Sequence, residues 1–394
     1  MEESKDKTKS NKLVYIIFWV LLFVLILEIG IIVGKSIYSK KKIKEEILSL
    51  NDSELVAMLI KYNYVFETPY TEEELASYTP EEQLKLIGDD YAQYLNKEDF
   101  EKEKDEQDLK FIGLGFKSLE IADGYFEVVR ILPNTPVEEA GIKPGDRIVK
   151  IDGISLKDMP ILDAMNLLEE KKEEDTVFTI QRDDTFFDTT IRRRLIKGTP
   201  VVADLLKDGI GYIKISHFSN NLEENFIKAL SALMSDNMTK LILDLRGNPG
   251  GAAHQVVPIA SALLDNSIKK LYTIKYRNVD DQKFKRDRDM MFSGPLVILC
   301  NERTASASEV LISILKDYDR CTTVGKKTYG KQVSQEVFNL NSSNTLFLST
   351  GICLPPKENI YNKIGINPDY EVSLDNDLED KQLTKAIEIL KEIK

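Results

Sequence analysis

This chain of 394 residues has only three cysteines and two histidines to offer a thiolate- or imidazole-based metal site or a redox couple. Cys300, Cys321 and Cys353 are odd in number, and their spacing fits no metal motif. Cys300 ends an apolar run and reads as a small buried hydrophobe. A Cys300–Cys321 disulfide has no support in the pattern. His217 and His254 have no carboxylates placed by the sequence to complete a metal site. Long basic runs are missing too. Arg192-Arg193-Arg194 is only a short cluster in a chain of net charge −12, which argues against nucleic acid as a partner. With 42% hydrophobic and 30% charged residues, the composition is that of a globular protein long enough for two or three domains.

One long apolar run is present. Leu13 to Val33 reads LVYIIFWVLLFVLILEIGIIV, about 21 residues, which suffices to span a bilayer at 1.5 Å per residue. Glu28 is its only charge and lies near one end. The run exceeds the apolar core of a cleaved signal peptide, and no A-x-A site follows it. A permanent transmembrane helix over 13–34 is the expectation, with 1–12 as a cytoplasmic tail. Lysines flank both ends, so the positive-inside count leaves the orientation open. From Lys40 to Lys104 the chain is polar with helical periodicity, and 35–106 is expected to form an N-terminal helical region. Thr71-Glu72-Glu73-Glu74 and Thr79-Pro80-Glu81-Glu82 predict helix starts, each with a capping Thr and a Glu three residues on. Tyr91 and Tyr94 are candidate core aromatics.

Two distant segments carry the chemistry. Lys240 to Leu245 and Pro295 to Cys300 read as buried strands, each followed by a helical pattern. In an open α/β sheet the loops after adjacent strands meet in one crevice. The first loop, Asp244-Leu245-Arg246-Gly247-Asn248-Pro249-Gly250-Gly251, offers glycine N–H groups. The second, Thr304-Ala305-Ser306-Ala307-Ser308-Glu309, offers a serine hydroxyl at a helix start. Together they are raw material for an oxyanion hole, including the Ala307 N–H, and for a nucleophile. Ser306 has a second reading, because Ser306 with Glu309 is also a capping box. Ser308 is a rival nucleophile. For the base, His254 with Asp244 stands beside Lys331. Lys331 would have to lose about 3 units from ~10.4 through burial. On an alternating strand Lys331, Val333 and Gln335 share one face. His217 follows a strand and is expected to serve structure or touch substrate. Asp244 and Arg246 are expected to brace the loop with charge-assisted bonds.

Between these parts lies a β-rich region. Phe111-Ile112-Gly113-Leu114-Gly115-Phe116 opens it. Pro133 to Ile148, a strand at Val149–Ile151, a helix at Pro160–Glu170, and strands near Val177–Gln181 and Asp188–Arg193 follow. This order resembles a PDZ domain of the bacterial protease type, which adds an extended peptide as a strand. The resemblance implies that Gly113, Leu114, Gly115 and Phe116 receive a terminal carboxylate. It also implies that Leu114, Phe116, Leu162 and Met165 line an apolar pocket, unless these four are only core.

The DLRGNPGG loop, the SASE turn and Tyr329-Gly330-Lys331-Gln332-Val333-Ser334-Gln335 together resemble the C-terminal processing peptidases, or tail-specific proteases. The likeness runs from about Asp89 to Asp369. It implies an α/β fold: a mixed-sheet serine protease core (197–394) with an inserted PDZ-like β domain (107–196), behind the transmembrane helix and a helical N-terminal segment. It further implies Ser306 as nucleophile, Lys331 as base, Gln335 as orienter, and Gly250, Gly251 and Ala307 around the oxyanion. No metal or organic cofactor is implied. Unfolded or flexible protein C-termini are the implied substrates, with the catalytic domain outside the cytoplasm and homodimers among the arrangements relatives adopt. A non-catalytic tail-binding receptor and a site-specific signalling protease are the rival functions. Gly351 to Asn359 departs from the family's usual T-P-S-G stretch, which touches specificity.

Overall fold

The computed structural model describes residues 47–393, apart from 123, 133, 158, 170–174 and 374–379. The expected tail and membrane helix, residues 1–34, lie outside the described residues. Among those described, no helix is long and apolar enough to cross a membrane.

The chain divides into two compact units, residues up to Asn96 with Glu336–Ser349, and Lys97–Gln335 with Thr350–Lys394. In the first, helices α1 (Asp52–Asn63), α2 (Glu72–Ala76) and α3 (Pro80–Ile87) all begin with capping boxes, on Asn51, Thr71 and Thr79. The two threonine boxes are the ones the sequence predicts. Strand β1 (Gln93–Leu95) pairs antiparallel with residues 345–347. Leu55, Val56, Ile60 and Leu75 bury their side chains with Leu340, Leu346 and Leu348 from the far end of the sequence. The helical reading of this segment therefore omits a strand and a shared core. Tyr94 is half-buried against that core and donates its hydroxyl to Asp52 Oδ2 at 2.5 Å.

The second unit opens with α4 (Lys97–Gln107), β2 (Lys110–Gly113), β3 (Phe116–Ala122), β4 (Tyr125–Ile131), α5 (Pro136–Glu139), β5 (Arg147–Ile151) and β6 (Ile154–Ser155). There follow α6 (Ile161–Glu169), β7 (Asp175–Arg182), β8 (Thr185–Arg192) and β9 (Arg194–Lys197). Strands β3, β4, β5, β7 and β8 form one antiparallel sheet in that order, with β6 paired to β5, while β2 and β9 make a separate ribbon. Alternation along β7 sends Thr176, Phe178 and Ile180 inward. There Phe178 and Ile180 meet Phe126, Val128 and Ile148.

Beyond Val201 come β10 (Val201–Leu205), β11 (Ile210–Ile215), α7 (Leu222–Ser235), β12 (Lys240–Asp244), α8 (Val256–Leu263), β13 (Lys270–Tyr276), β14 (Gln282–Lys285) and β15 (Leu296–Cys300). The chain continues through α9 (Ala307–Asp317), β16 (Thr322–Gly325), β17 (Val333–Asn339), β18 (Thr345–Leu354), β19 (Tyr370–Glu371) and α10 (Lys381–Glu392). A six-stranded sheet has the order β10-β11-β12-β15-β16-β19, parallel throughout except for β10. Both faces of such a sheet are covered, so its central strands are apolar without alternation. Leu241, Leu243 and Ile298 pack with residues of α7, α8 and α9 on one face. Ile242, Val297 and Leu299 pack with Ala386 and Leu390 of α10 on the other. Because β12 and β15 are neighbours, the loops at their carboxyl ends lie side by side.

Candidate active site

Ser306 sits at the junction of the loop after β15 with α9, at φ 53° and ψ −119°. A left-handed backbone costs a non-glycine residue of order 1–3 kcal/mol and marks functional turns more than caps. Packing holds it there. Ala305 N–H donates to Asn248 C=O at 3.0 Å, and the Thr304 hydroxyl donates to Leu245 C=O at 2.9 Å. Ser306 is half-buried, whereas Ser308 is fully buried and donates its hydroxyl to Asn248 C=O at 3.3 Å. Of the two serines, only Ser306 is open to solvent.

Glu309 completes the capping box by accepting from Ser306 N–H at 3.0 Å, but it does more. The carboxylate is wholly buried and also accepts from Thr328 Oγ1 at 2.5 Å, Gly330 N–H at 2.7 Å and Lys331 N–H at 2.8 Å. Burial pushes its pKa above the ordinary carboxyl value, against the pull of those four donors. Tyr329 N–H adds a bond to Thr304 C=O at 3.0 Å. The serine turn and the lysine segment, 25 residues apart in the sequence, are thus joined through main-chain groups. Lys331 lies two residues before β17, not within it, yet its Nζ reaches Gln335 Oε1 at 2.6 Å. Between them in the sequence, Gln332 is buried the other way. It donates to Cys353 C=O and Asn359 C=O at 2.9 and 2.8 Å, and it accepts from Tyr361 N–H at 2.7 Å. Those bonds dock the lysine segment on the stretch where the sequence departs from the family pattern.

The glycine loop fits against the serine turn. A Cβ on Gly250 would fall 2.7 Å from Ser306 Cβ and 2.9 Å from Ala307 N, at a φ of 104° that already favours glycine. Gly250 N–H is engaged with Asn248 Oδ1 at 2.9 Å. Gly251 bridges Phe218 in parallel, with Phe218 N–H on Gly250 C=O and Ala252 N–H on Phe218 C=O, both at 2.7 Å. In such a bridge the central residue turns its own N–H away from the partner strand. Gly251 is exposed, and Ala307, as first residue of α9, has no intrahelical acceptor for its N–H. Asn248, Glu309 and Gln332 were missed as site residues by sequence reasoning. Their partners are mostly backbone atoms, which leave no mark in a sequence.

Asp244 and Arg246 brace the loop as expected. Arg246 contacts Asp244 Oδ2 at 2.7 Å and reaches Asp380 and Gln382 at the start of α10 at 2.8 and 3.2 Å. Burial works against the guanidinium charge, but the two carboxylates outweigh it and hold its pKa above the usual range. Tyr212 also donates its hydroxyl to Asp244 Oδ2 at 2.6 Å. Asp244 is therefore occupied by Arg246 and Tyr212, while His254 is exposed and lies against Gln255. His217 is nearer the site. Its Nε2 is buried without a hydrogen-bond partner, 2.9 Å from where a Gly251 Cβ would stand, and burial lowers its pKa against the opposing charge of Glu103.

In the antiparallel domain, Leu114 is buried in the core and its C=O accepts from Val137 N–H at 3.1 Å. Gly115 has φ 104°, and a Cβ there would fall 2.3 Å from Thr135 Cβ. Phe116 meets Phe178 edge-on at 6.3 Å, and Met165 on α6 is 43% exposed. The Leu162 side chain lies outside the described residues. Phe116 begins β3, an edge strand of its sheet, where main-chain groups are available to an added strand.

The pattern of peptidase family S41 matches residues 209–372, and that of the PDZ domain matches 127–182. A carboxyl-terminal-processing protease of Picosynechococcus is 32% identical over 294 residues, covering 73% of this chain and 70% of that protein. The carboxy-terminal processing protease CtpA of Bacillus subtilis is 28% identical over 74% of this chain, which spans 62% of its length. Two solved structures share the fold. The photosystem II D1 C-terminal processing protease has a TM-score of 0.52 at 22% identity, covering 82% of this chain and 94% of that one. A putative S41 protease from Bacteroides fragilis has a TM-score of 0.59 at 18% identity, covering 86% and 97%. The chain belongs to the carboxyl-terminal processing proteases of family S41, which are serine peptidases, and combines their mixed α/β fold with a PDZ domain.

Proposed function

We propose that this chain is a membrane-anchored endopeptidase acting outside the cytoplasm on the C-terminal tails of unfolded or loosely folded proteins. The tail adds to β3 of the PDZ domain with its carboxylate at Gly113–Phe116. Neutral Lys331, oriented by Gln335, takes the proton of Ser306 as its Oγ attacks the peptide carbonyl carbon. The N–H groups of Gly251 and Ala307 receive the oxyanion. Lys331 then gives its proton to the leaving amine. Water, deprotonated by the same lysine, breaks the Ser306 ester and frees the new C-terminus. Residues 13–34 hold the enzyme to the membrane, and family habit places its N-terminus inside.

One observation carries the reading: the left-handed backbone of Ser306, a strain that helix capping does not require. The test is cleavage of an unfolded protein with an apolar C-terminus by the purified chain. Lys331→Arg is expected to be inactive although it keeps the charge, since a guanidinium does not deprotonate near neutral pH. His254→Ala and added chelators should leave activity intact. Leu114→Asp should slow this substrate more than a short peptide that needs no capture. An active Lys331→Arg beside an inactive His254→Ala would move the base to His254.

A further inference from the structure

We infer that Glu309 is a positioning residue that sets the distance between nucleophile and base, by holding the main chains of Ser306 and Lys331 on one carboxylate. The inference rests on the proposed roles of those two residues. A capping glutamate needs one bond, to the N-cap N–H. Here that bond, 3.0 Å from Ser306 N, is one of four. Oxygen Oε2 takes both Ser306 N–H and Lys331 N–H, the latter at 2.8 Å, so a single atom lies between the two segments. Oxygen Oε1 takes the Thr328 hydroxyl and Gly330 N–H at 2.5 and 2.7 Å, the two residues that lead into the lysine. The group is wholly buried, so water cannot stand in for any of these donors.

The neighbours make the placement exacting. Thr328 Oγ1 also accepts from Ile366 N–H at 2.7 Å, which orients the hydroxyl toward the carboxylate. Gly330 has φ 98°, and a Cβ there would fall 2.8 Å from Gly365 N, so the segment has no room to shift sideways. Proton transfer from serine to lysine depends steeply on separation, and a displacement of about 1 Å costs on the order of 100-fold. Glu309 touches no reacting atom. Its effect is on where Oγ and Nζ stand.

Glu309→Gln turns one acceptor into an N–H donor facing donors. It is expected to lower kcat by about 100-fold with KM within about twofold. The rate of covalent labelling of Ser306 by a fluorophosphonate should fall in parallel. A purely structural role would act equally in any background. An alignment role should vanish once the base is gone, so Glu309→Gln should change labelling little when added to Lys331→Ala. Thr328→Val keeps the shape, removes one donor from Oε1, and should slow labelling about tenfold; it carries the test if Glu309→Gln does not fold. Labelling of Glu309→Gln or Thr328→Val at the wild-type rate overturns the inference, as does full additivity with Lys331→Ala. A wild-type chain not labelled at Ser306 would instead overturn the proposed function.

Discussion

The turns at Thr71 and Ser306 are written in one pattern, Thr-Glu-Glu-Glu and Ser-Ala-Ser-Glu, and both start helices with a capping box. Their surroundings differ in every respect that matters. Thr71 has an ordinary extended backbone at φ −75° and ψ 166°, and both it and Glu74 are exposed. Ser306 is at φ 53°, and its glutamate is sealed inside the protein. Hydrogen bonds to the Thr71 box lower the pKa of Glu74, while burial raises that of Glu309. A local motif therefore specifies a helix start and nothing more. What lies across from it decides whether the same residues only cap a helix or also tie two distant segments together.

The largest break in the comparison is expected at the hydroxyls. Ser306→Ala should reduce cleavage by at least about 10⁴-fold. Thr71→Ala should cost only about 1 kcal/mol of stability and leave kcat unchanged. Glycine sharpens the contrast, because it relieves a left-handed backbone. Ser306→Gly should be inactive yet unfold later than the wild type, by about 1 kcal/mol. At Thr71 glycine should bring no gain. An active Ser306→Ala enzyme, or a Ser306→Gly variant less stable than Ser306→Ala, would remove the distinction.

The glutamates give the smaller effect, read by denaturation. Glu309→Gln should cost about 2–3 kcal/mol through buried donors left without acceptors. Glu74→Gln, on an exposed group, should cost little. The pH dependence should have opposite signs. Glu74, lowered from 4.5, contributes stability present above that pH and lost as pH falls. Glu309, raised from the same 4.5, contributes stability present below it and lost as pH rises through its folded value. Subtracting each Gln variant from the wild type across pH 3 to 7 should give curves that slope in opposite directions. Parallel curves would mean that the burial of Glu309 is not felt.

Much of this molecule was legible in its sequence because much of it is local or periodic. The caps at Thr71 and Thr79, the apolar strands β12 and β15, and the helices after them follow from spacing alone. The choice between Ser306 and Ser308 needed the family pattern, and the structure adds that Ser308 is bonded away to Asn248. Which glycine keeps a spare N–H was hidden, since it turns on the Asn248 side chain reaching Gly250. Also hidden was the pairing of β1 with residues 345–347, a contact across some 250 positions that no short window of sequence contains. In the sequence Glu309 reads only as a cap, because its other three donors lie about 20 positions downstream.

Arg246 has a consequence in time as well as space. The loop carrying Gly250 and Gly251 is clamped from behind by Asp380, a residue 134 positions later in the chain. In the order of synthesis the serine turn and the lysine segment both precede Asp380, so the glycine loop gains this brace last of the three.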